Sequence, residues 1–234
     1  MFKQVDDELL HKASQEHSTD GSTCLLSLIC NGRLTVANIG DSIATLAKKD
    51  GSCVQMNVEH TPNCPEERAR IEASNGSVFH NRVDGELSVS RAFGDSEMKN
   101  LIISEPQCHS IKIEKDDDFL VMASDGIFRT YSQQHIVSRV IELRKRHMGL
   151  GNIAETIVEE CLRLEAATKE CFDNVTLIIV SLADYLMDYE RRSLMNTPEQ
   201  LQLRKQSSQG HQYGSCSSVQ SKLLDFSVEC HSIL

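Results

Sequence analysis

Asn31-Gly32 separates two runs of strand character, 23–30 and 33–39. That dipeptide between two strand-like runs is the strongest short-range signal for a tight hairpin, because both central residues of the favoured turn need positive φ. The chain therefore commits early to antiparallel pairing. A third run, 43–48, follows after Gly40-Asp41. Short strand candidates recur at 77–80, 87–90, 101–103 and 109–113, and Asp84-Gly85 marks another turn. The run 119–123, Phe-Leu-Val-Met-Ala, is apolar throughout and reads as a strand buried on both faces. A last strong strand covers 175–182.

Helical patterns punctuate this series. Residues 3–17 set Val5, Leu9 and Ala13 on one face. In 61–75, Pro65 suits a first helical position, Glu66 and Glu67 suit a first turn, and Asn75-Gly76 ends the segment. Ser132 is placed to cap 133–147. Asn152 and Glu155 read as a near capping-box pair for 153–167. Strand–helix–strand repeats are few, so a doubly wound parallel sheet fits poorly. Mainly antiparallel sheets with helices outside them fit better, and a single sheet covered on both faces fits the pattern as well.

From Tyr185 onward five acids balance five bases, so the formal charge of -10 belongs to residues 1–184. The sequence thus divides into a folded unit, 1–184, and a polar extension, 185–234. Within the extension 185–205 has helical character, whereas 207–221, with six Ser and two Gly, is expected to be disordered. An acidic chain without a long Lys/Arg run argues against nucleic acid or an anionic membrane as partner. No segment approaches the apolar length of a spanning helix, and the first residues lack a signal-peptide pattern. Nine Cys, an odd number without CxxC, read as free thiols in a reducing compartment. The setting expected is intracellular, cytoplasmic and/or nuclear. The oligomeric state is left open.

Three acids stand beside Gly or Asn at strand edges: Asp41 in Gly-Asp-Ser, Asp125 in Ser-Asp-Gly, and Asp173 in Asp-Asn-Val. Asp125 lies two residues past one apolar strand, and Asp173 two residues before another. If those strands are antiparallel neighbours, both carboxylates reach one edge of the sheet. Close carboxylates held away from water need a counter-charge, and a hard divalent cation supplies one. Read singly, each acid is also an ordinary turn residue beside a strand.

The motifs around these acids resemble the metal-dependent protein phosphatase 2C family. Gly21-Ser22-Thr23, Val36-Ala37-Asn38-Ile39-Gly40-Asp41-Ser42, Glu59-His60-Thr61-Pro62 and Glu66-Glu67-Arg68-Ala69-Arg70-Ile71 carry the early part. The most specific stretch runs from Arg82 to Asp95, ending Ser88-Val89-Ser90-Arg91-Ala92-Phe93-Gly94-Asp95. Ala123-Ser124-Asp125-Gly126-Ile127-Phe128 and Phe172-Asp173-Asn174-Val175-Thr176 complete it, all in order over about residues 18–184.

The resemblance implies an α+β, four-layer sandwich of two mostly antiparallel β-sheets flanked by helices. It implies hydrolysis of phosphoserine or phosphothreonine in a phosphoprotein by a water activated on Mg²⁺ or Mn²⁺, with no catalytic side chain forming a phosphoenzyme. Asp125 and Asp173 match metal ligands of the family. Asp41 matches an acid near the metal centre, with Asn174 beside Asp173 as an outer neighbour. His80, Arg82 and Arg91 are candidates for lining a substrate groove or organising its loop. Family members also carry, upstream, a phosphate-contacting Arg, an acidic pair and an Asp-Gly-His motif; no Asp-Gly-His occurs here. Arg129 stands where the family often has an acid. These departures imply a sandwich incomplete at its N-terminus and weak metal binding, and leave a second reading: a catalytically inactive phosphatase-like binding or regulatory protein. His11, Glu16 and His17 on the first helix are remote substitutes for the missing ligands. His60, Cys64 and His80 as a zinc cluster lack a fourth partner at suitable spacing.

Overall fold

The computed structural model describes residues 1–168, 173–195 and 229–233. Helix α1 (Phe2–Glu16) precedes strands β1 (Gly21–Ser22), β2 (Cys24–Cys30), β3 (Arg33–Ile39), β4 (Ile43–Lys48) and β5 (Cys53–Gln55). Helix α2 (Pro65–Ala73) is followed by three two-residue strands, β6 (Val78–Phe79), β7 (Arg82–Val83) and β8 (Phe93–Gly94). Then come β9 (Gln107–Lys112), β10 (Asp117–Ala123), α3 (Asp125–Thr130), α4 (Gln133–Lys145), α5 (Leu150–Thr168), β11 (Val175–Ser181), α6 (Leu182–Met195) and β12 (Glu229–Ile233).

The hairpin forms at Asn31-Gly32, whose φ angles are 50° and 72°, with Cys30 opposite Arg33. The β2–β3 pair continues to β9 as a three-stranded antiparallel sheet. The second sheet is five-stranded, in the order β12-β11-β10-β4-β5, and all its pairs are antiparallel.

Strand β10 shows why the two sheets and the helices stack as layers. Side chains alternate across a strand. Phe119, Val121 and Ala123 face Ile136, Val137, Val140, Ile153, Ile157 and Val158 of α4 and α5. Leu120 and Met122 face the other way, onto Leu34 and Val36 of β3. An apolar run without polar alternation is thus buried on both faces. Each such side chain, fully buried, contributes about 1.5–3 kcal/mol. The fold is a mixed α/β sandwich of antiparallel sheets flanked by helices. The outer face of the small sheet leaves Leu26 and Leu28 exposed.

One expected cap forms, and several other segments differ from the expectations. Ser132 caps α4 by accepting from the His135 amide at 3.2 Å. Helix α5 begins at Leu150, not at 153, because Leu150 and Met148 pack on the helix-side core and draw the first turn in. Asn152 therefore lies inside the helix and no capping box forms there. Residues 87–90 and 101–103 form isolated bridges, Val83 to Leu87 and Arg91 to Ile103, and not strands. The expected boundary between 184 and 185 falls within α6, whose Leu182 and Tyr185 are buried against the inter-sheet core. The Tyr185 hydroxyl accepts from the Gly32 amide at 2.9 Å, tying α6 to the hairpin turn. The stretch 207–221 expected to be disordered lies outside the described residues.

Candidate active site

The three acids meet at one edge of the five-stranded sheet for reasons of register. Ile43, Ala123 and Leu177 stand side by side on β4, β10 and β11. Asp41 is two residues before Ile43, Asp125 two after Ala123, and Asp173 four before Leu177. Antiparallel pairing brings all three to the same rim.

The junction of β10 and α3 is fastened to the start of β11. The Ser124 amide donates to the Thr176 carbonyl at 3.1 Å, and the Thr176 amide donates to Ser124 Oγ at 3.0 Å. Ser124 Oγ donates in turn to the Asn174 carbonyl at 3.0 Å. Gly126 makes this approach feasible: a Cβ there would sit 2.6 Å from the Asn174 carbonyl oxygen. Ser-Asp-Gly is therefore a docking sequence, with Ser as the clasp and Gly as the clearance. Asn174 takes part through its main chain.

One guanidinium spans the two acids. Arg129 Nη2 lies 2.7 Å from Asp173 Oδ2 and 3.6 Å from Asp125 Oδ2. The two oxygens are thus at most about 6.3 Å apart, the distance if they lay on opposite sides of that nitrogen. Asp125 is 42 % exposed, Asp173 34 % and Arg129 55 %. Ion pairs with such exposure add about 0–1 kcal/mol to stability. Their meaning here is electrostatic.

Asp41 feels the same cluster. Burial, then the charge of Asp125, with further contributions from Glu59 and Asp173, pushes its pKa up to about 6. Negative potential is left over at this rim despite Arg129. Carboxylate oxygens around such a potential fit a hard divalent cation in donor type. Among the described residues, however, no group of three or more His, Cys, Asp or Glu side chains is set to hold an ion. His11 bonds to Gln15 on the exposed face of α1, where Glu16 and His17 are also exposed. Cys64 bonds to Glu66, and His60 is buried beside Asn38.

The remaining candidates lie elsewhere. His80 sits on the exposed β6–β7 turn at φ 50°, its ring 4.0 Å from that of Phe79. Arg82 is exposed on the same hairpin and donates to the Glu86 carbonyl. Arg91 belongs to a buried network instead. Its Nη2 and Nε donate to Glu67 Oε1 at 2.6 and 3.1 Å, and its Nη1 to the Glu105 carbonyl at 2.7 Å. Arg70 donates to Glu67 Oε2, the Ser90 carbonyl and the Leu101 carbonyl at 3.0, 2.8 and 2.6 Å. This network clamps α2 to the 90–105 segment. Burial would raise Glu67, but the hydrogen bonds from Arg91, Ser90 and Arg70 hold its pKa down to about 2. Burial, aided by the Arg91 cation, takes His60 down to about 4.

Sequence reasoning missed the bridging role of Arg129 and the Glu67 clamp. The spacing of Arg129, four residues after Asp125 and so on one helix face, was the available signal. Nothing local marks the pairing of Glu67 with Arg91, 24 positions away.

A family model for protein phosphatase 2C matches residues 1–170. Among curated relatives, "Probable protein phosphatase 2C 21" of Arabidopsis thaliana is 34 % identical over 171 residues, covering 69 % of this chain and 48 % of the relative. "Protein phosphatase 1L" of Bos taurus is 34 % identical over 183 residues, covering 75 % and 48 %. The solved structure of a serine-threonine phosphatase 2C from Toxoplasma gondii superposes with a TM-score of 0.68 at 25 % identity, covering 77 % of this chain and 64 % of that one. A C. elegans sex determining protein, at 23 % identity, shares the fold with a TM-score of 0.70, covering 77 % and 45 %. The chain spans about half the length of the curated relatives it matches. On this sequence and fold similarity, the chain belongs to the protein phosphatase 2C family.

Proposed function

We propose that this chain carries part of the catalytic centre of a metal-dependent phosphatase acting on phosphoserine and phosphothreonine in proteins. Asp125 and Asp173 would hold Mg²⁺ or Mn²⁺, with Asp41 beside them as a further ligand or hydrogen-bonding neighbour. The observation that supports this reading is the single guanidinium spanning both carboxylates, which leaves their Oδ2 atoms at most about 6.3 Å apart at one rim of the sheet. When bound, the ion supplies a water made acidic enough to attack phosphorus and a positive charge for the phosphoryl oxygens. The protein's own part is to hold the two carboxylates rigidly. The Ser124 clasp and the Gly126 clearance do so by fastening the β10–α3 junction to β11.

A second reading has an observation of its own. The pair is already partnered by Arg129, and among the described residues no third donor completes the set. A catalytically inactive relative that binds a phosphoprotein or regulates a partner enzyme would look the same. The free thiols Cys24, Cys30, Cys53, Cys64, Cys108 and Cys161 support an intracellular setting for either, cytoplasmic and/or nuclear. Among the described residues no helix is long and apolar enough to cross a membrane.

The test is phosphate release from a phosphoserine or phosphothreonine peptide with and without Mn²⁺, alongside a thermal shift. The catalytic reading expects slow Mn²⁺-dependent release and a modest rise in melting temperature, both lost in Asp173→Asn. A melting shift without release selects the inactive reading. Mn²⁺-independent release, unchanged in Asp173→Asn, overturns the metal mechanism.

A further inference from the structure

We propose that Arg129 is an internal counter-cation that holds the charge position between Asp125 and Asp173 and thereby sets how strongly the pair takes a divalent ion. This rests on the reading of Asp125 and Asp173 as a cation site. Three observations lead to it. The guanidinium nitrogen nearest the pair, Nη2, contacts Oδ2 of both acids, at 2.7 and 3.6 Å. Arg129 is the described cation ion-paired with each of them. It is also 55 % exposed, so the side chain is free to swing into water without opening the core.

Arg129 takes Oδ2 of both acids and the Asn174 amide donates to Asp173 Oδ1 at 2.8 Å, so a divalent ion that joins the two acids competes with the guanidinium for Asp173. Binding becomes an exchange: the ion enters as the guanidinium leaves for solvent. The ion must overcome the Arg129 ion pairs and the repulsion of a nearby positive charge. In the other direction, Arg129 offsets part of the negative charge of the two acids when no ion is present. Sharing the rim with Arg129 costs the pair about two- to fivefold in affinity, the scale of one partly exposed charge interaction. Arg129 acts as a positioning residue in this account, through the acids and not on the phosphoryl group.

The experiment is titration of the full chain with Mn²⁺ alone, free Mn²⁺ being followed by its electron paramagnetic resonance signal. Arg129→Ala is expected to bind Mn²⁺ about two- to fivefold more tightly than the wild-type chain. Arg129→Gln, which keeps length and loses charge, carries the same expectation and serves if the Ala variant folds poorly. Arg129→Lys restores the charge and is expected to return affinity toward wild type, which a purely structural role would not do. Asp173→Asn in the Arg129→Ala background is expected to abolish the gain. Equal affinity in wild type, Arg129→Ala and Arg129→Gln overturns this inference and leaves the cation site standing. A gain that survives Asp173→Asn overturns it as well. No Mn²⁺ binding in any variant overturns both the inference and the reading beneath it.

Discussion

Replacing Glu67 by Gln removes one negative charge from a network with two guanidinium groups. The Glu67 side chain is 3 % exposed, and its two oxygens are divided between Arg91 on Oε1 and Arg70 on Oε2. Gln keeps one acceptor and turns a donor toward the other Arg, so one guanidinium loses its partner and both lose their counter-charge. The magnitude follows from linkage. Glu67 drops from 4.5 to about 2 in the folded protein. At about 1.4 kcal/mol per pH unit, that separation stabilises the fold by about 3 kcal/mol at neutral pH. Removing one member of a buried charged network independently suggests about 3–5 kcal/mol. Because the folded pKa is depressed, the stabilisation is complete above about 4.5 and is lost as pH falls through about 2. At pH 3 about 1 kcal/mol should remain. Urea denaturation of wild type and Glu67→Gln at pH 7 and pH 3 reads both numbers. A difference below about 1 kcal/mol at pH 7 would refute the clamp. So would a large difference that does not shrink on acidification.

Other outcomes follow from the same structure. His60 has a folded pKa of about 4 against 6.5 unfolded, so the unfolded chain takes up the proton first. Stability should fall by up to about 3 kcal/mol between pH 6.5 and pH 4, and urea midpoints of His60→Gln should depend less on pH across that window. Gly126→Ala places a methyl 2.6 Å from the Asn174 carbonyl oxygen. It should cost about 1–3 kcal/mol in thermal unfolding and weaken the Mn²⁺-induced shift, because the Asp125 end of α3 is forced off β11. Leu28, 59 % exposed on the small sheet with Leu26 beside it, is a surface for non-specific association. Leu26→Lys with Leu28→Lys should raise the concentration at which light scattering appears while changing the melting temperature little.

Local chemistry made much of this fold legible. Asn31-Gly32 specified the hairpin because few residues accept two successive positive φ angles. The run 119–123 read as a strand buried on both faces and 175–182 as a last strong strand; the structure pairs them antiparallel, with Ala123 opposite Leu177. Given that pairing, the approach of Asp125 to Asp173 was readable by counting from the strand ends, whereas the place of Asp41 depends on β4 pairing with β10, which nothing local marks. What stayed hidden depends on side chains that act at a distance. The 87–90 and 101–103 segments look like strands in sequence. Their order comes from Arg70 and Arg91, whose guanidinium groups, held by the Glu67 carboxylate, donate to the carbonyls of Ser90, Leu101 and Glu105 in place of a ladder. The 184/185 boundary rested on a change in charge balance, which does not register that Tyr185 reaches back to Gly32. Arg129 carried a spacing signal, but spacing alone does not tell which acid a long side chain will choose.

Anomalous diffraction from crystals of the chain grown with Mn²⁺ tests the central claim most directly. The account predicts a manganese peak bonded to oxygens of both Asp125 and Asp173, with Arg129 turned away into solvent. A manganese peak elsewhere, with Arg129 still seated on the two carboxylates, would contradict it.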